Sequence, residues 1–388
     1  MKNRELAVIA LLVFVTSLFT RSVDPVVPQI ADGLLVDVGT AALLSTAFAL
    51  PYAIVQPVLG ALADMMSKTR LMSICLVLLV LSAVVSATAP NFTVLAISRV
   101  VAGMASGGIF PTSLALAGDR IPMAQRQVAI GRLLAATMSG NLLGASLAGV
   151  VGDLAGWRAV FIVVGSMGAL CIVAIVIGFR SSPPETTKGF DLSTLGPNYR
   201  AIFGNPLAKY CFGAVFMESL VVFGVFPHMA ALLHQAGESR ASIAGIVLAG
   251  FGIGAVIYTF CVGWLLSLLG ERKMMIGGGL IMAAFCLILT WRLPWPLEFA
   301  NFAMLGFGFY WLHGCIQVYA TELAPGARGS TMALHSAAFF FGQAVGPVVY
   351  GLGFSRVGVT PMLVVGAIII AAVGYVCASR LHRQKPAT

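Results

Sequence analysis

Glu218 is a carboxylate set inside an apolar run, Leu207–Leu233, and an acid in such a place has two uses: to take up and release a proton, or to pair with a cationic ligand. It lies eleven residues into the run, which at ~1.5 Å per helical residue puts it near the middle of a bilayer. A proton gradient across the bilayer could load and unload it there, so Glu218 is the first candidate proton carrier. The bland alternative is a permanently protonated Glu hydrogen-bonded between helices. Arg21 and Asp24 stand three apart, on one helical face, with Pro25 and Pro28 predicting a bend beside them. Arg99 falls at a similar depth in another run. Asp24 is the second proton-binding candidate, and the same residues read equally as an ion pair steadying the bend. Two positive groups and one negative would also suit an organic anion. His335, His313 and His228 have side chains that titrate near neutral pH, although a lone His on an apolar helix is more often a packing residue. Of the many rings in the second half, those facing a cavity, with Tyr310 and Trp311 as candidates, would favour aromatic or lipophilic ligands.

These groups need elements to hold them, and the composition says which kind. Hydrophobic residues make up 59% of the 388 and charged residues 10%, against about 25% charged in a soluble domain. This is an all-α polytopic membrane protein. Its net charge of +9 does not point to nucleic acid, because the basic residues sit at the ends of apolar runs instead of forming one aromatic-interleaved patch. The seven cysteines lie singly, without metal or redox spacing, and nothing calls for a cofactor. A monomer is expected.

A span needs about 20 apolar residues, and on that ruler the chain divides into twelve. The first six run about 6–30, 40–63, 71–89, 92–117, 128–150 and 159–179; the last six run about 207–233, 241–268, 274–291, 297–321, 329–354 and 360–379. Residues 1–179 and 207–388 are therefore two bundles, joined by a polar linker, 180–206. The start of the chain imitates a signal peptide, but no small-residue cleavage site follows, so it is expected to remain as the first span. With the N-terminus inside, sixteen Lys and Arg fall on the cytoplasmic side and four (Arg158, Arg240, Arg292, Arg356) outside, which predicts cytoplasmic termini and linker. Arg132 is expected to reach out to the boundary. Asn91-Phe-Thr93 matches a glycosylation acceptor, in a loop too short to extend far from the membrane.

The halves repeat. Gly60-Ala-Leu-Ala-Asp64-Met-Met-Ser-Lys68-Thr-Arg70 returns 203 positions later as the turn from Gly263 to Gly270, Glu271, Arg272 and Lys273, with Ser267 in place of Asp64. Asp119 and Arg126 are echoed by Glu322 and Arg328, and Gly140, Gly144 and Gly149 by Gly342, Gly346 and Gly351, at offsets of 202 or 203. Two pseudo-symmetric six-helix bundles predict a central cavity opened alternately to each side. The glycines also suit close helix packing.

The Gly60–Arg70 turn resembles the loop between the second and third spans of the major facilitator superfamily, with Gly60, Leu62, Asp64 and Arg70 matching and Ser67 and Thr69 departing. The resemblance covers the whole chain. It implies that Asp64 and Arg70, with Gly60, Gly263 and Arg272 in the two copies, act at a cytoplasmic gate. Arg99-Val-Val-Ala-Gly103 is similar to the family's fourth-span motif, whose Arg has been linked to proton coupling. The glycines from Gly140 to Gly149 resemble the motif of the drug:proton antiporter branch, with Ala145 where that motif has Pro; the eleventh span carries the full pattern, Gly346-Pro347 included. The resemblance implies a proton-coupled secondary transporter in a bacterial-type inner membrane, working by alternating access and exporting lipophilic or aromatic compounds. A transporter of organic anions or amino-acid-like metabolites stays open, favoured by Arg21, Arg99 and Ala145. A non-transporting sensor or an enzyme has no support: there is no nucleotide loop, no metal-spaced His/Cys set and no soluble domain in the sequence.

Overall fold

The structure, a computed structural model, describes residues 3–121, 123–180, 195–324 and 328–381. Hydrocarbon offers no partner for a backbone N–H or C=O, so a long apolar run has to satisfy its own by coiling into a helix. The described chain does this throughout and contains no strand. The first half comprises α1 (Asn3–Arg21), α2 (Val27–Leu34), α3 (Val38–Met65), α4 (Lys68–Ala87), α5 (Phe92–Arg120), α6 (Met123–Ala155) and α7 (Trp157–Phe179). After α8 (Leu195–Gly204), the second half comprises α9 (Ala208–Gly224), α10 (Met229–Gln235), α11 (Ala241–Leu289), α12 (Trp295–Glu322), α13 (Arg328–Arg356) and α14 (Val359–Arg380).

Nine described stretches are long and apolar enough to cross a membrane. One of them, the 49-residue α11, holds two of the expected spans, because Gly270 at φ +70° breaks its helix. The 33 residues of α6 and the 28 of α12 are also long enough for a bilayer, which accounts for all twelve. The predicted turn from Gly263 to Lys273 is thus narrower than its composition suggested, a single left-handed glycine between helical segments. Ten residues of the expected linker, Leu195–Gly204, form α8, where Leu195, Tyr199, Ile202 and Phe203 recur at helical spacing.

Local chemistry sets the helix starts. The Ser67 hydroxyl accepts from the Arg70 N–H at 3.3 Å, so this departure from the family pattern caps α4. Asn91, of the glycosylation-like triplet, accepts from the Val94 N–H at 3.0 Å and starts α5. Pro25 removes an N–H at the end of the first span, which breaks into a 3-10 turn, Asp24–Val26, before resuming as α2. The seventh span breaks at the matching place, Phe226–His228, around Pro227.

The chain forms two compact units. Unit 1 is Met1–Asp191 with Pro227–His234 and Ser239–Ile246; unit 2 is Leu192–Phe226, Gln235–Glu238 and Val247–Thr388. Within unit 1, α1 packs on α6 and α5 on α3 and α4; within unit 2, α9 packs on α13 and α14. The close crossings use glycine, because a Cβ there would run into the partner's backbone. At Gly103 it would strike the Phe48 carbonyl, and at Gly306, 203 positions on, the Phe251 carbonyl. At Gly140 it would strike the Phe14 carbonyl and Ser17, and at Gly342, 202 positions on, the Phe216 carbonyl and Ser219. Gly144 lies against Leu18 as Gly346 lies against Leu220. The repeat read along the sequence therefore recurs in the contacts inside each unit. Gly149 backs onto Ala241, and Pro347 follows Gly346 inside α13 without ending it.

Candidate functional site

Unit 1 gathers Arg21, Asp24 and Arg99 at the break in its first span. Asp24 is fully buried; its Oδ2 lies 3.3 Å from Arg21 Nη1, and its Oδ1 accepts from the Ser45 hydroxyl at 2.8 Å. Arg99, buried at 1% exposure, gives both terminal nitrogens to the Phe19 carbonyl at 3.2 and 3.3 Å. Its guanidinium carbon sits 4.4 Å from the centre of the Phe48 ring, a cation–π contact that softens the cost of burying the charge. Arg21 is thus held by Asp24, and Arg99 by a carbonyl and a ring.

Unit 2 gathers Glu218, His313 and His335 from α9, α12 and α13. Glu218 has no exposed surface, and its Oε2 lies 3.6 Å from His313 Nδ1. Neither carboxyl oxygen has a hydrogen bond to a described residue, and the same is true of His313 Nδ1 and His335 Nε2. The two imidazoles meet edge-on at 5.2 Å between centres. Phe309 stacks flat on His313 at 4.8 Å, and Phe339 meets it edge-on at 5.6 Å. Glu218 and His335 are buried, and His313, with Phe309 and Phe339 against its ring, keeps only a little exposure. An unpaired charge is costly in such surroundings, so the proton count of the three groups is tied to any charge brought beside them.

The two clusters occupy different positions of the repeat. An offset of 202 takes Arg21 to Phe223 and Asp24 to Phe226, and 203 takes Arg99 to Phe302. Those three phenylalanines pack in a chain, 5.1 Å from Phe223 to Phe226 and 5.5 Å on to Phe302. Run backwards, the offsets place Thr16, Phe110 and Leu133 where unit 2 has Glu218, His313 and His335. Each unit carries titratable groups where its counterpart has none.

The remaining candidates are spread out. Tyr310 stacks on Tyr258 at 6.0 Å and packs near Phe251, whereas Trp311, about 100° further round α12, lies against Gly277 and Gly278. Glu218 and Trp311 are therefore not brought together. Gly60 and Asp64 fall in the last turns of α3, with their side chains outside the described residues. Arg70 and Arg272 are exposed, and a Cβ at Gly263 would meet nothing within 4 Å. Arg132 is also exposed. His313 was weighed from sequence only as one of three histidines more often found in packing, and Ser45 and Phe48 were not singled out, because neither residue type marks a site by itself. Asp153 was likewise unmarked, yet its two oxygens accept from the Ala241 and Ser242 N–H groups at 2.8 Å each and cap α11. Among the described residues no group of three His, Cys, Asp or Glu is placed to hold a metal ion.

Duplicated sets of long apolar helices, crossing through matched glycines and each enclosing one charged cluster, define a polytopic membrane protein of the transporter kind. The family model described as Major Facilitator Superfamily matches residues 9–241 and 214–388, and the chain belongs to that family of transporters. It is 26% identical over 389 residues to the quinolone resistance protein NorA of Staphylococcus aureus, covering 99% of this chain and 98% of that protein. It is also 26% identical over 369 residues to the uncharacterized MFS-type transporter YfhI of Bacillus subtilis, covering 92% and 88%. Among solved structures, a D-xylose–proton symporter superposes with a TM-score of 0.79 at 17% identity, covering 99% of this chain and 98% of that one. An inward-facing bacterial homolog of the human lysosomal transporter Spinster gives 0.76 at 18% identity, with full coverage of both chains.

Proposed function

We propose that this transporter is driven by protons, works by alternating access, and exports lipophilic or aromatic organic compounds across a bacterial-type plasma membrane with both termini cytoplasmic. Glu218 is the proton carrier in this reading, and His313 and His335 are its partners. The observation that carries it is the buried Glu218 carboxyl, free of hydrogen bonds among the described residues and 3.6 Å from His313. A proton entering or leaving this cluster changes its charge where charge is expensive, which gives the conformational cycle something to respond to. Asp64 and Arg70 serve at the cytoplasmic gate, by the motif they share with the family.

The substrate class rests on two further points. Arg21 and Arg99 already have partners in Asp24, the Phe19 carbonyl and the Phe48 ring, which leaves less for an organic anion to bind. A relative matching along its whole length is named for resistance to quinolones, which are fused aromatic compounds. In proteoliposomes with an imposed pH gradient, a lipophilic aromatic dye should move against its gradient as protons move with theirs, while labelled organic anions stay near background. Gradient-driven anion accumulation without dye movement would transfer the assignment to the anion class.

A further inference from the structure

Two hollows on unit 2 meet at one pair of residues, Lys209 and Tyr210 in the first turn of α9. The first, of about 820 Å³, lies where α9 begins and α14 ends, and is lined by Lys209, Tyr210, Tyr319, Glu322, Ser379 and Arg380. Its two cations converge on one ring: Lys209 Nζ lies 5.1 Å, and Arg380 Cζ 5.6 Å, from the centre of Tyr210. Tyr319 donates its hydroxyl to Glu271 at 2.6 Å, and Glu322 adds one carboxylate to the lining beside the two cations. The second hollow, of about 350 Å³, runs from the same Lys209 and Tyr210 along the apolar seam between α9 and α14, past Gly213, Met217, Val376 and Val373.

The spacing gives the seam a direction. Lys209, Gly213 and Met217 lie four apart on one face of α9, and Arg380, Val376 and Val373 descend one face of α14. At ~1.5 Å per residue the seam reaches about 12 Å from the basic mouth, most of the ~15 Å depth of one leaflet's hydrocarbon. Gly213 is exposed, and a Cβ there would meet nothing within 4 Å, so the floor of the seam is open because this position has no side chain.

We infer that this composite site binds one anionic phospholipid, its phosphate between Lys209 and Arg380 over Tyr210 and one acyl chain in the seam beside Gly213. A basic, aromatic mouth at a helix end is matched to a headgroup phosphate, and an apolar channel leading from it into the span is matched to a chain and to nothing a soluble anion carries. Free phosphate would use the mouth alone.

Native mass spectrometry of the full chain, released from detergent with equal amounts of phosphatidylglycerol and phosphatidylcholine of identical chains, tests this. One phosphatidylglycerol should be retained in preference. Lys209→Ala and Arg380→Ala should each weaken its retention about fivefold, from the usual contribution of a basic residue at an anionic surface. Gly213→Leu should displace it by filling the seam, with no fall in the protein's Tm. Glycerol 1-phosphate, the headgroup without chains, should not be retained. Equal retention of the two lipids, or phosphatidylglycerol retention untouched by these substitutions, would overturn the inference. Retention of glycerol phosphate unaffected by Gly213→Leu would make the mouth a site for a free phosphate and would equally overturn it.

Discussion

Asp24 is the counter-charge for an arginine at a broken helix, and its stability cost is lopsided. With Arg21 at 3.3 Å and Ser45 at 2.8 Å, its removal leaves a guanidinium buried without its acid, which costs about 3–5 kcal/mol in comparable buried pairs. Losing the Ser45 hydroxyl removes one charge-assisted hydrogen bond, about 1.5–3 kcal/mol. Asp24→Ala should therefore lower unfolding stability in detergent clearly more than Ser45→Ala, and equal small losses would refute the pairing. Asp37 works at the membrane boundary, where its carboxylate accepts from the hydroxyl and the N–H of Thr40 and opens α3. The Thr40 hydroxyl, then the N–H, hold its pKa below the ordinary 3.8. A depressed folded pKa means stability present above the unfolded value and lost as pH falls through the folded one. Asp37→Ala should cost about 1 kcal/mol at neutral pH, the usual worth of such a cap, and the gap from the parent protein should close below about pH 4. A pH-independent gap would show that the charge contributes nothing.

Among the elements, glycine does its work only where another backbone comes close. Gly103→Ala and Gly306→Ala would each push a methyl into a carbonyl of the neighbouring helix, Phe48 and Phe251 respectively, and both should reduce thermal stability and folded yield. Gly263→Ala has open space inside a helix, and should be neutral or stabilising by about 0.5–1 kcal/mol. Uniform tolerance of all three would remove the crossings from the account. The spans, the glycine repeat and the bend at Pro25 were legible in the sequence, because apolar length, small-residue spacing and a missing N–H are local properties. The break at Gly270 was misjudged in width, since a charged Glu271-Arg272-Lys273 reads like a loop although one left-handed residue suffices. The helix at Leu195–Gly204 was hidden by the polar composition around it.

At the scale of the molecule, the duplication supplies the frame and departs from itself where charge is placed. Arg21, Asp24 and Arg99 have phenylalanines as counterparts, and Glu218, His313 and His335 have Thr16, Phe110 and Leu133, so neither cluster could be read from the other half. Glu218 was conspicuous as an acid in an apolar run. Its meeting with His313, 95 residues away, was not, because a helix in lipid is apolar on its outer face too and periodicity does not say which side turns inward. The same ambiguity hid the different neighbours of Tyr310 and Trp311. The central claim is that Glu218 carries the proton that powers transport. It is tested most directly by Glu218→Gln in proteoliposomes under an imposed pH gradient, with substrate movement measured beside gradient-free exchange. The account predicts gradient-driven transport abolished, with exchange retained; gradient-driven transport at the parent rate would contradict it.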